Sequence, residues 1–251
     1  AGDELHAGYD THAACRARLR MRRVPGVLRR RLIRPLVDLL PVSHRKLSFE
    51  FKAKRFARGA ELGVPESHYS WREVMSEDLR RELLTGSDGR DGLRSTESLF
   101  VERYEACAAL DPLDRLLAVD AGLFLPDDLM VKNDRMTMAH SLEARVPFTD
   151  IALARRLVAW PTSLKLRGLC GKQLLRRGLV GRLPEEILTR KKVGLEMPYS
   201  RWLTAELKEW AAEILLSESA TAGGVLNSDS IGKLWEQHQS GRFDHGRPLW
   251  G

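Results

Sequence analysis

Seven charged residues are threaded through residues 125–148: Asp127, Asp128, Lys132, Asp134, Arg135, Glu143 and Arg145. They alternate with Leu129, Val131, Met136 and Met138 in a helix-compatible pattern. A surface helix gathers its charges on one face. Here Asp128, Lys132 and Arg135 share a face by their spacing, while Leu129, Met136 and Met138 fall on other faces. A helix that is apolar nearly all round is normally buried, and buried charges must be paired or hold a ligand. The segment therefore predicts a buried helix and is the best site candidate in the chain. The methionines themselves read as core packing.

Two further clusters carry chemistry. Gly2-Asp3-Glu4 sets adjacent carboxylates at a glycine turn. They could hold a magnesium ion or accept from a substrate ammonium. Taken alone, helix capping explains them better. Lys165, Arg167 and Lys172 surround Gly168 and Gly171 just before a predicted helix. Backbone donors, dipole and lysine would suit an anion such as pyrophosphate, although no G-x-x-x-x-G-K-[ST] pattern is present. A basic turn in solvent is the alternative, and Arg190-Lys191-Lys192 is equally ambiguous. Tyr9 could touch a ligand, but a core tyrosine with a satisfied hydroxyl is the default. His6 and His12 are isolated and carry no argument.

The elements that must position these residues are mostly helices. A short acidic turn leads into a helix after Tyr9. Residues 49–56 predict an amphipathic helix with its phenylalanines inward, residues 65–71 a loop, and residues 71–84 helical spacing. Residues 85–94 predict a surface loop, and residues 98–110 a helix. Asp111-Pro112 caps a helix to about Ala121. Gly122 and Pro126 separate it from the charged helix, which Pro147 ends. Residues 151–159, 172–179 and those after Leu183-Pro184 follow as short helices, with a basic loop at residues 190–194. Residues 201–216 predict one amphipathic helix with Trp202, Leu203, Leu207, Trp210 and Ile214 inward. Residues 230–238 form the last helix. Strand signals are almost absent.

Composition sets outer bounds. The 251 residues are 43% hydrophobic and 30% charged, as in a globular protein. No apolar run reaches the roughly 20 residues that cross a bilayer. Cys15, Cys107 and Cys170 are far apart; they fit free thiols in a reducing cytoplasm and no zinc motif. The net charge of +7 is concentrated in residues 16–34, which hold nine arginines. A nucleic-acid patch is one reading. A solvated basic face is the better one, because no aromatic interleaves the run.

These pieces also stand in a specific order. Asp3-Glu4-Leu5 with Gly8-Tyr9 resembles the G-x-D-E-L-F-x-G-Y element of the glutamine-hydrolysing asparagine synthetases. Residues 125–129 with Lys132, Asp134-Arg135, Met138-Ala139, Ser141-Leu142-Glu143 and Arg145-Val146-Pro147-Phe148 look like that family's synthetase signature. Leu166-Arg167, Gly171-Lys172, Leu183-Pro184-Glu185-Glu186-Ile187 and residues 190–194 continue the match. The resemblance spans most of the chain; residues 16–34 and 85–97 match least.

The resemblance implies an enzyme that uses ATP and magnesium to make an aspartyl-adenylate and pyrophosphate. Ammonia, freed from glutamine by an N-terminal glutaminase domain, then attacks the adenylate. Asp3 would lie near magnesium and pyrophosphate, and Glu4 and Tyr9 near the activated substrate. Lys172 would neutralise charge on the phosphates. Lys132, Asp134, Arg135 and Arg145, with Asp128 and Glu143, would build or brace the pocket wall. The implied fold is α/β, Rossmann-like, of the adenine-nucleotide alpha-hydrolase type, with the segment present mainly α-helical. Residues 1–251 would be one partial synthetase domain with no second domain, cytoplasmic, with no nucleic-acid or membrane partner and with room for a homodimer.

The chain departs from the family pattern at several points. The S-G-G-x-D-S nucleotide loop and the glutaminase cysteine are not in the sequence. Ala1 stands where a glycine is usual, His6 and Ala7 replace Phe and Gly, and Thr149 replaces Leu. The expectation is a piece of a longer protein that alone makes no asparagine and leaves apolar helix faces partly exposed. Three alternatives remain: a relative amidating another carboxylate or closing a β-lactam ring, a non-catalytic interaction module, and membrane attachment through the arginines.

Overall fold

The computed structural model describes residues 2–41, 49–85, 95–109, 111–190 and 197–251. Most of residues 85–94 and 191–194, and Ala1, lie outside the described residues, so the loops expected there are not placed. The described residues are mainly helical. Among them only the isolated antiparallel bridges Leu84–Leu226 and Arg167–Cys170 pair extended backbone. The chain divides into two compact units.

The first unit comprises residues 1–25, 60–69 and 97–192. Its centre is the helix Pro112–Val119. Asp111 caps it by accepting from the Leu113 N–H, and Pro112 takes the first position, where no N–H is needed. Leu113, Leu116 and Leu117 then recur on one face and are buried, with Val119 closing the turn. Each buried leucine contributes about 1.5–3 kcal/mol of transfer free energy. The helix Asp10–Met21 packs beside it with Cys15 and Arg18 inward. Phe100 of the helix Thr96–Ala106 meets Tyr69 edge-on, ring centroids 5.3 Å apart. The helix Val64–Ser70 occupies what the sequence predicts to be a loop. Pro65 sits in its first turn, where proline is tolerated.

Gly122 and Pro126 do not separate two helices. The chain runs from Val119 through wide π turns over Asp120–Met130 straight into the helix Val131–Met138. Proline clashes with the carbonyl four residues back in an α-turn, and the wider turn opens that spacing. Nor does Pro147 end the helix. Ser141 takes a left-handed φ of 57°, and the Leu142 N–H donates to the Thr137 carbonyl and the Ser141 N–H to that of Met138. That is a Schellman stop.

The expected burial of the charged helix is not observed. Met136 is 63% and Met138 51% exposed, and Asp128, Lys132, Asp134 and Arg135 are all exposed. Periodicity reports which side chains could pack but not whether a neighbour covers them, and no described element covers this face.

The second unit comprises residues 26–59, 70–96 and 193–251. The helix Ser228–Gln239, capped by Asn227, turns Ile231, Leu234 and Trp235 onto Leu83, Leu203, Ala211 and Leu249. The single helix expected over residues 201–216 is two, Tyr199–Trp202 and Lys208–Leu215. The intervening turns rotate the second helix. Ala211 and Leu215 therefore face the core, while Trp210 and Ile214 are exposed. In the helix Phe49–Gly59, Phe56 stacks on Trp71 at 5.6 Å, but Phe49, at the first position, is exposed.

Candidate functional site

Within the first unit, residues 2–9 fold into a tight turn before the helix Asp10–Met21. The His6 N–H donates to the Gly2 carbonyl and the Gly8 N–H to the Asp3 carbonyl. Glu4 is fully buried. Its Oε2 accepts from the Gly2 N–H at 2.9 Å, and its Oε1 accepts from the Tyr9 hydroxyl. Both carboxylate oxygens are thus held by the turn that carries them.

The basic turn closes on this loop from the far end of the unit. Arg167 and Cys170 exchange backbone hydrogen bonds, with Gly168 at a φ of 62°. The Lys172 N–H then donates to the His6 carbonyl at 2.9 Å. A Cβ on Gly171 would stand 2.0 Å from the Ala7 carbonyl oxygen, so only glycine permits this approach. Lys172 itself adopts a left-handed φ of 60° ahead of the helix Gln173–Gly178. Its Nζ reaches Asp3 Oδ1 at 2.6 Å. Gly8 lies under this pair: a Cβ there would stand 2.0 Å from Asp3 Oδ1 and 2.6 Å from Lys172 Cε. The fold therefore brings Asp3, Glu4, Tyr9 and Lys172 together.

The other expected cations do not join them. Lys132 pairs with Asp128 at 3.7 Å and Arg145 with Glu143 at 2.6 Å, all exposed. Asp134 and Arg135 stay on the exposed helix. Their segment reaches the loop through its end: a Cβ on Gly2 would lie 3.0 Å from Phe148 Cβ. Lys165 turns away from the basic turn and is buried, 3.6 Å from Asp114 Oδ1. Burial lowers its pKa and Asp114 opposes the shift.

His6 lies beneath the loop. It is buried, with neither ring nitrogen hydrogen-bonded. Burial, then the Lys172 and Lys165 ammoniums, lower its pKa, against a smaller opposite effect of Asp3. His12, which sequence reasoning set aside, is buried with His68 and Asp120 behind Tyr9. No local pattern could have found that group, since its members are 108 and 52 residues apart.

The matching family model, asparagine synthase, covers residues 1–251. The chain belongs to the asparagine synthase family. The glutamine-hydrolyzing asparagine synthetase 1 of Bacillus subtilis is 27% identical over 249 residues, which is 99% of this chain and 37% of that protein. A Mycobacterium tuberculosis protein with the provisional name asparagine synthetase, glutamine-hydrolyzing, is 32% identical over 223 residues, 87% of this chain and 33% of that protein. The chain thus spans about a third of the length of these curated relatives. No solved structure matches it at a significant level. Among the described residues no helix is long and apolar enough to cross a membrane.

The second unit of this family member holds an open groove of about 690 Å³, lined in part by Phe51, Arg55, Arg58, Glu73, Tyr199 and Arg247. Two of its arginines are engaged internally. Arg58 pairs with Glu73 at 3.1 Å, and Arg55 donates to the Ser70 carbonyl at 3.1 Å. Burial pushes the Arg55 pKa down to about 10, with Arg247 adding to the shift. None of the expected site residues lines it.

Proposed function

We propose that this chain is the substrate-side part of an ATP-dependent asparagine synthetase, cytoplasmic, acting within a longer protein that supplies the nucleotide loop and the glutaminase. The implied domain is α/β, its parallel strands contributed by residues outside this chain. The observation that carries the reading is the convergence of Lys172 and Asp3, 2.6 Å apart, beside the Glu4–Tyr9 pair.

In this reading the aspartate side-chain carboxylate attacks the α-phosphorus of ATP and pyrophosphate leaves. Lys172 sits to spread positive charge over the departing phosphates, where preorganised charge is most effective. Ammonia then attacks the acyl carbon and AMP leaves. Glu4, buried and hydrogen-bonded to the Gly2 N–H and the Tyr9 hydroxyl, holds the turn and Tyr9 in place near the activated acyl group.

Asp3 offers the hard oxygen that magnesium prefers, and its Oδ1 lies 2.6 Å from Lys172 Nζ, packed over Gly8 where no Cβ intervenes. Asp3 would hold magnesium, which would screen the phosphates. Lys132, Asp134, Arg135 and Arg145 are proposed as the outer, nucleotide-side wall, completed by the rest of the protein. The test is to supply the complete protein with aspartate, ATP, magnesium and glutamine. Asparagine with one AMP and one pyrophosphate supports the reading. Amidation of a different carboxylate with aspartate inert refutes it.

A further inference from the structure

Behind the Glu4–Tyr9 pair stands a buried bridge that the mechanism above does not use. Asp120, at the start of the π turns, is fully buried between His12 and His68. Its Oδ2 lies 2.7 Å from His12 Nε2 and its Oδ1 2.8 Å from His68 Nε2. The two imidazoles stack, with centroids 5.7 Å apart and planes 12° from parallel. An ionised carboxylate only accepts, so each ring carries its proton on Nε2. The Tyr9 N–H donates to His12 Nδ1 at 3.4 Å, which makes that nitrogen the acceptor and His12 the neutral Nε2–H tautomer. His12 is the third residue of a helix whose N-cap is Tyr9. It does there what a glutamate or glutamine does in a capping box. One turn beyond Asp120, Phe124 meets the Tyr9 ring edge-on at 5.8 Å. Asp120, His12 and His68 could each offer an atom to a cation. Both N···O separations are hydrogen-bond lengths, however, and protons on Nε2 occupy the lone pairs a metal would need.

We infer that Asp120 is a positioning residue: by fixing the tautomer of His12 it presents Nδ1 to the Tyr9 N–H and so seats the Tyr9 hydroxyl on Glu4. The inference rests on the reading of Glu4 and Tyr9 as lining the activated substrate. A tautomer swap at His12 would turn Nδ1–H against the Tyr9 N–H, donor against donor, and move Tyr9.

Two substitutions in the complete protein separate positioning from support. His12→Gln places an N–H where Nε2 was, keeping the bond to Asp120 and losing the acceptor for Tyr9. His12→Asn places an oxygen where Nδ1 was, keeping that acceptor and losing the bond to Asp120. The expected stability order is His12→Gln above His12→Asn, because only the former keeps both donors on the buried carboxylate. The expected turnover order is the reverse. His12→Gln loses about 10²-fold in kcat for aspartate-dependent pyrophosphate release, the scale of a 1 Å misplacement, with a smaller change in KM. The Tyr9 hydroxyl proton resonance should shift in His12→Gln and hold in His12→Asn, and 15N spectra of the wild type should show His12 protonated on Nε2. Turnover that follows melting temperature, an unchanged Tyr9 resonance in both variants, His12 protonated on Nδ1, or one equivalent of zinc retained by the purified protein would each overturn the inference. If the wild type releases no pyrophosphate with aspartate, the proposed function fails by itself. The two resonances still judge the bridge.

Discussion

Lys172 Nζ meets Asp3 Oδ1 at 2.6 Å although Lys172 holds a backbone conformation that lysine rarely adopts. Its φ of 60° costs about 1 kcal/mol for a residue with a Cβ, yet it aims the side chain back over Gly8 to the acidic turn. Lys172→Gly should therefore be more stable than Lys172→Ala by about 1 kcal/mol, while both lose pyrophosphate formation equally. Denaturant melts paired with turnover of the two variants check this. Equal stabilities would mean the left-handed turn carries no strain.

Gly171 and Gly8 predict different penalties. A methyl on Gly171 meets the Ala7 backbone oxygen at 2.0 Å and cannot be relieved by a rotamer. Gly171→Ala should cost about 1–3 kcal/mol, the range of overpacked sites. A methyl on Gly8 meets side-chain atoms of Asp3 and Lys172, which can move. Gly8→Ala should cost less stability and more turnover, because it parts the ion pair. Urea melts and steady-state rates separate the two.

His6 makes stability fall in acid. Its folded pKa lies below the ordinary imidazole value of about 6.5. Below that value the unfolded chain binds the proton that the buried ring refuses, so stability decreases as pH falls from 6.5. His6→Phe removes this proton-linked loss. Its melting temperature should decline less than that of the wild type between pH 6.5 and 5. A residual decline should remain from His245, whose pKa burial also lowers. Parallel declines in the two proteins would show that His6 is not the group responsible.

Local signals made several elements legible. Asp111-Pro112 starts a helix where capping chemistry says it should, and the helix expected over residues 151–159 is present. The order of short motifs along the chain is itself enough to point to the family. What stayed hidden depends on neighbours distant in sequence. Lys165 belongs to the basic turn by composition but finds Asp114 across the core. The helix Val131–Met138 has the pattern of a buried element and is exposed, because burial needs a covering partner as well as a pattern. The His12–Asp120–His68 bridge is built from three residues that each look ordinary in their own segment.

Exposed apolar side chains recur from Val131 through Met136, Met138, Leu142, Ile151 and Val158. Surface of this kind promotes association. The 251 residues alone should elute larger than a 28.4 kDa monomer in gel filtration. A monomer with a sharp cooperative melt would show that these side chains need no cover.

The most direct measurement is ATP–pyrophosphate exchange by the complete protein, with and without aspartate, in the wild type and in Lys172→Ala. Exchange is expected only with aspartate present, reduced about 10²-fold or more by the substitution, as for loss of a preorganised charge at the reacting centre. Exchange that ignores aspartate, or that survives in Lys172→Ala, would contradict the proposed function.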